Sequence, residues 1–202
     1  MLRQIYILIC LLPLTISGCA HTPGDAVLMA GNPKDAAWMY AKGAELGDGV
    51  AAFKLGQLIK QKLVSEEQYG SSFKWDLRAC DLGYILGCHN VAIAYQEGTH
   101  GQSVNFETAC KYYLKSAEGG YMPSQYNLSL VYSTPQGMTP NYVEAYKWFL
   151  IARNSSKSCR NDPKCEWVLR DPDNQKSDLK SHMTAEEIRL AESLAASWRV
   201  KR

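Results

Sequence analysis

Residues 39–47, MYAKGAELG, recur along the chain. A shift of 36 lays them on residues 75–83, WDLRACDLG; a further 37 reaches residues 112–120, YYLKSAEGG, and a further 36 reaches residues 148–152, WFLIA. Self-similarity at a fixed period of this size is the signature of a repeat architecture. The intervening segments align as well: Leu55-Gly56 falls on Val91-Ala92 and on Leu128-Ser129, and Ile59 falls on Tyr95 and Tyr132. Ala51, Ala52, Leu55, Gly56 and Ile59 carry the three-and-four spacing of a helix face, not the alternation of a strand. Each unit therefore reads as two helices. The small residues let the helices approach closely, and Trp75, Tyr112 and Trp148 fill the space between units. Gly98, Gly101, Pro135, Gly137 and Pro140 punctuate the loops. No unit can bury its apolar face alone, so the units must stack. The expected fold class is all-α, a solenoid of about three antiparallel helix pairs over residues 34–153.

Composition agrees with one modest core. The chain has 202 residues, 46% hydrophobic and 21% charged, with seven cysteines and a net charge of +2. That charge is too small for a nucleic-acid footprint. At the C-terminus, Thr184-Ala185-Glu186-Glu187 reads as a capping box. Ile188, Ala191, Leu194, Ala195 and Trp198 then share one helical face, so residues 184–202 are expected to cap the last repeat. Residues 154–183 read as an irregular connection.

The first 18 residues, MLRQIYILICLLPLTISG, hold one charge, Arg3, and an apolar run from Ile5 to Leu12. The run is too short to span a bilayer and fits a secretory signal. Ile16-Ser17-Gly18-Cys19 resembles a bacterial lipobox. The resemblance implies cleavage before Cys19 and acylation of that cysteine, with residues 19–33 as a membrane tether; an ordinary signal peptide with an incidental cysteine is the alternative. Two or more acyl chains anchor stably where one does not. Ala20 after the cysteine, where aspartate would favour inner-membrane retention, points to an outer membrane and a periplasm-facing protein. Removing 18 residues from 202 leaves 184, with five cysteines besides Cys19 in an oxidising compartment.

At Tyr126-Asn127-Leu128-Ser129, Tyr132, Gly137, Ala145, Trp148-Phe149 and Ala152 the chain resembles the Sel-1-like repeat family, which is tetratricopeptide-like. The pattern is a small residue, Leu-Gly, Tyr, a Gly-rich loop, an alanine with an aromatic pair, and Ala-x-x-Gly. The sequence departs from it where Gly56 becomes Ala92 and Ser129, and where residues 65–72 lack the Gly-x-Gly loop. Cys80 ends one helix and Cys88 opens the next, at positions an antiparallel hairpin brings together. The spacing also resembles the cysteine-rich branch of the family, whose units carry a disulfide there. A Cys80–Cys88 disulfide is expected, with two buried thiols as the alternative. Cys159 and Cys165 flank a short polar loop; a surface disulfide is expected, with a metal pair as the alternative. Cys110 is left as a buried thiol on the second-helix face.

Signatures of catalysis are scarce. The sequence has no phosphate-cradling glycine loop, no His-Glu-x-x-His, no Cys-x-x-Cys and no Gly-x-Ser-x-Gly. His21 and His100 fall in the tether and a loop, and His89 takes the place of Phe53 and Tyr126 on a repeat helix. Ser71-Ser72-Phe73-Lys74 and Ser177-Asp178-Leu179-Lys180 match Ser-x-x-Lys, but the companion Ser-Asp-Asn and Lys-Thr-Gly elements are missing. No catalytic residue, metal or cofactor is expected.

A second stripe runs beside the core stripe on each first helix: Phe53, Gln57 and Lys60; His89, Ile93 and Gln96; Tyr126, Leu130 and Ser133. Such aromatic, aliphatic and polar mixtures suit protein recognition, although Phe53 and Tyr126 at these positions also suit packing between units. The loops near His100 and Pro135–Pro140 are further candidates. The expected function is a lipid-anchored, non-catalytic module that binds an envelope protein. The family resemblance adds a sharper alternative, an immunity protein neutralising an envelope-attacking toxin such as a type VI secretion lipase, and a minor one, β-lactam binding or hydrolysis. No nucleic acid or small-molecule substrate is expected.

Overall fold

A computed structural model describes residues 22–135, 138–156 and 172–201. The signal segment, Cys19, the Gly137 position and the Cys159–Cys165 pair lie outside the described residues. Among the described residues the protein is all-helical, in antiparallel helix pairs. It divides into two compact units, residues 1–82 and 83–202.

The first unit holds α1 (Pro23–Met29), α2 (Pro33–Glu45), α3 (Gly49–Lys60), the short α4 (Glu66–Tyr69) and α5 (Ser72–Asp81). Helix starts follow from their caps. Asn32 accepts from the Asp35 amide at 3.2 Å, Asp48 from those of Val50 and Ala51 at 2.9 and 3.0 Å, and Ser71 from that of Lys74 at 3.4 Å. α1 packs on α2, α2 on α3, and α3 on α5. The core joins Ala36, Ala37, Tyr40, Ala51, Leu55, Leu58 and Ile59, with Trp75 against its edge. Helices α3 and α5 approach closely at Gly56, where a Cβ would lie a tight 3.3 Å from the Ser72 carbonyl and from the Trp75 Cβ.

The second unit holds α6 (Ile85–Glu97), α7 (Phe106–Glu118), α8 (Met122–Ser133), α9 (Tyr142–Ser156), α10 (Pro172–Ser181) and α11 (Ala185–Ser197). Each of α6 to α9 packs on the next, and α9 also carries α10 and α11. Leu55, Val91 and Leu128, which the repeat made equivalent, are all fully buried. The backbone repeats as faithfully. Gly47 and Gly120 donate to Ala44 and Ala117 with φ of 95° and 92°, and Asp48 and Tyr121 donate to Gly43 and Ser116. Asn105 and Asn141 close the loops by donating to Tyr95 and Tyr132, each at 2.8 Å. An acid-x-Gly turn at this period ends a helix because only glycine takes the left-handed conformation without penalty.

Three details differ from the sequence reading. Within the stretch assigned to a tether, 19–33, the chain forms α1. Its weak apolar signal is supplemented by tertiary contacts, Asp25 pairing with Lys54 at 2.6 Å and accepting from Tyr40 Oη at 2.7 Å, and by a local bond that Asp25 accepts from the Thr22 hydroxyl at 3.1 Å. Burial pushes the Asp25 carboxyl up, but these hydrogen bonds outweigh it and hold it below the usual range. Within the connection assigned as irregular, 154–183, α9 runs on to Ser156 and α10 forms around one buried apolar residue, Leu179. In α11 the capping box forms and Ala191 and Ala195 are buried, but Leu194 is exposed.

The Asp25 cluster yields a first prediction. Asp25→Ala leaves the half-buried Lys54 ammonium without its carboxylate and should cost about 1–3 kcal/mol. Hydrogen exchange should quicken in α1 while α3 keeps its protection. Unchanged exchange in α1 would show that apolar packing alone holds it.

Candidate functional site

The nine stripe residues meet different fates. On α3, Phe53 and Gln57 are half-buried and Lys60 is exposed. On α6, His89 Nδ1 lies 2.8 Å from Ser124 Oγ on α8, and its ring packs on those of Tyr113 and Tyr121 at 5.6 and 4.9 Å. Burial lowers the His89 pKa to about 4, so the ring is neutral at physiological pH. Ile93 packs against the core of the unit, and the Gln96 carbonyl accepts from Tyr113 Oη at 2.7 Å. On α8, Tyr126 packs on Met122 and Ala152, and its hydroxyl meets Gln175 of α10. Ser133 Oγ donates to the Leu130 carbonyl at 3.0 Å, while the Leu130 side chain is 39% exposed. Among these side chains, Lys60 and Leu130 are thus the most accessible. His89, Ile93, Gln96 and Tyr126 also hold helices together.

Cys80 and Cys88 are disulfide-bonded. The equivalent pair in the last repeat is Ala117 and Gln125, and Gln125 is not small. Its buried amide donates to the Ala117 carbonyl at 3.2 Å and accepts from Ser155 Oγ at 2.9 Å, so a hydrogen-bonded bridge closes that hairpin. Cys110 is a buried free thiol, pushed up by burial, in contact with the Tyr132 hydroxyl.

The serine–lysine patterns find structural explanations. Ser71 Oγ caps α5 by accepting from the Lys74 amide, the helix-start geometry that this spacing fits. Lys180 pairs with Glu192 at 3.3 Å and lies 5.3 Å from the Tyr146 ring centroid. Among the described residues no group of three or more His, Cys, Asp or Glu side chains could hold a metal ion, and no helix is long and apolar enough to cross a membrane.

Sequence reasoning missed several exposed apolar side chains: Met29, 84% exposed, Trp38, 53%, and Leu190 on α11, 52%. For Trp38 the signal was present, since Lys34 and Lys42 flank it one helical turn either way, which places it on a solvent-facing stripe.

Antiparallel helix pairs of fixed period, closed by the same glycine turns, define a helix-pair repeat protein. The Sel1 repeat pattern matches residues 18–48, 85–121 and 123–156, and the chain belongs to the Sel1 repeat family. The match begins before α1, so α1 and α2 form a repeat of their own, and it passes over residues 49–84, where the loop departs from the pattern. Among solved structures, the chain is similar to c5321, a protective antigen of uropathogenic Escherichia coli strains displaying an SLR fold (27% identity, TM-score 0.62, covering 83% of this chain and 33% of that one). It shares its fold with a Sel1 repeat protein from Oxalobacter formigenes (20% identity, TM-score 0.57, covering 82% of this chain and 64% of that one). The chain thus spans less than two thirds of either relative. No curated protein matches it. Sel1 repeat proteins generally mediate protein–protein interaction and are in general non-catalytic.

Proposed function

We propose that this chain is a lipid-anchored, non-catalytic protein-binding module of a bacterial envelope, facing the periplasm from the outer membrane. The repeat architecture carries the reading. Stacked helix pairs present an extended surface rather than one pocket, and each unit exposes a side chain on a first-helix face, Lys60 in the first and Leu130 in the second. The lipobox at Cys19 and the alanine after it support the anchor and its membrane. The partner is a protein of the envelope.

The test is capture from envelope extract by the mature chain with Cys19 replaced, beside the same chain carrying Leu130→Asp. Leu130 is exposed, so the fold should tolerate the charge. One saturable partner is expected, with capture reduced about tenfold or more by the substitution, the scale of an interface anchor. No partner at micromolar concentration would overturn the reading. A captured lipase whose activity the chain blocks would narrow it to an immunity protein.

A further inference from the structure

The proposed anchor and the fold stand three residues apart. Three extended residues reach at most ~11 Å, and from Thr22 onward the chain is fixed. Thr22 is buried, its amide and hydroxyl both donate to Asp25, and Asp25 is held by Lys54 and Tyr40. Gly24 lies so close against the Tyr40 ring that a Cβ would not fit. An acylated Cys19 therefore has almost no slack, and α1 must lie at the bilayer.

The outer face of α1 suits that position. Pro23, Ala26 and Met29, with Ala30 at its C-terminal end, are exposed and apolar, on one side of the helix. The one ionisable side chain of α1, Asp25, is turned inward onto Lys54. Exposed helix faces ordinarily carry polar and charged residues; this one carries none. On α2, Trp38 is 53% exposed between the exposed Lys34 and Lys42, one turn to either side. An indole settles at the headgroup level of a bilayer, and flanking lysines reach out toward the phosphates.

We propose that the outer face of α1, with Trp38, is a membrane-contact surface that packs against the headgroup region of the bilayer carrying the lipid anchor. The proposal rests on acylation of Cys19. It replaces a repeat domain swinging on a tether with one whose first helix pair lies against the membrane.

The test uses the mature chain purified from membranes with its acyl groups. It is reconstituted into vesicles of phosphatidylethanolamine and phosphatidylglycerol with brominated acyl chains, which quench tryptophan emission at the interface. Quenching should fall sharply in Trp38→Phe, fall also in Ala26→Glu, and persist in Trp198→Phe. Ala26 and Trp38 are both exposed, so folding should survive, and circular dichroism checks that it does. A chain that carries labelled palmitate at Cys19 and floats with vesicles, yet is quenched equally with and without Trp38, would overturn the membrane contact and leave the anchor standing. So would a protein partner that shields Trp38 in place of lipid. A chain without palmitate at Cys19 would overturn both.

Discussion

Trp148→Ala should lower the unfolding free energy by about 3–5 kcal/mol, the range for a fully buried tryptophan. Trp148 is 2% exposed and belongs to the core cluster that joins Ala117, Leu128, Ile151 and Ala195. Its Nε1 donates to Glu144 at 3.2 Å, the Lys147 ammonium lies 4.8 Å from its ring centroid, and the Trp198 ring meets it edge-on at 6.0 Å. Truncation thus opens a cavity and also strips Trp198, at the end of α11, of its aromatic partner. In a repeat array each unit leans only on its neighbours, so the damage should appear first at α11, as early proteolysis there. The repeat supplies an internal control. Trp75 occupies the equivalent position but is half-buried, and its Nε1 donates to the Tyr69 carbonyl at 2.7 Å. Trp75→Ala should cost distinctly less. Urea midpoints followed by circular dichroism measure both. A larger loss for Trp75→Ala would show that burial at this repeat position does not set its weight.

How far the sequence could be read follows from which contacts are local. The helix pairs were legible because their signals recur: a glycine at the turn, a small residue beside a buried Leu or Val, an aromatic one period on. Helix α1 was not, because seven residues hold too little periodicity and its docking depends on Lys54, 29 residues away. Helix α10 was not, because PDNQKSDLKS has a single buried anchor, Leu179, amid polar residues. The candidate surface was legible only as a stripe. Spacing puts His89, Gln96 and Tyr126 on one side of their helices, but whether a polar side chain there faces solvent or a neighbour depends on what the next helix offers. Ser124 and Tyr113 offered partners to His89 and Gln96, whereas Leu130 stays 39% exposed among the described residues.

His89 also makes the second unit sensitive to acid. Its partners are neutral: the Ser124 hydroxyl and the rings of Tyr113 and Tyr121. The folded state therefore favours the uncharged imidazole, with a pKa lowered from 6.5 to about 4 by burial. The unfolded chain binds the proton more readily than the folded one between these values. The stability this confers is fully present above the unfolded pKa and is lost as pH falls from there through the folded pKa. From pH 7 to pH 5 the loss is about 2 kcal/mol, an upper bound because partial exposure lets water screen the charge. His89→Phe alone would strand the buried Ser124 hydroxyl, so the variant that isolates the effect is His89→Phe with Ser124→Ala, phenylalanine being what the first repeat carries at Phe53. Its urea midpoint should change less between pH 7 and pH 5 than that of the parent by an amount equivalent to about 2 kcal/mol. Parallel acid profiles for the two proteins would show that the proton is taken up elsewhere, and the neutral histidine would then be a packing residue with no part in the response to pH.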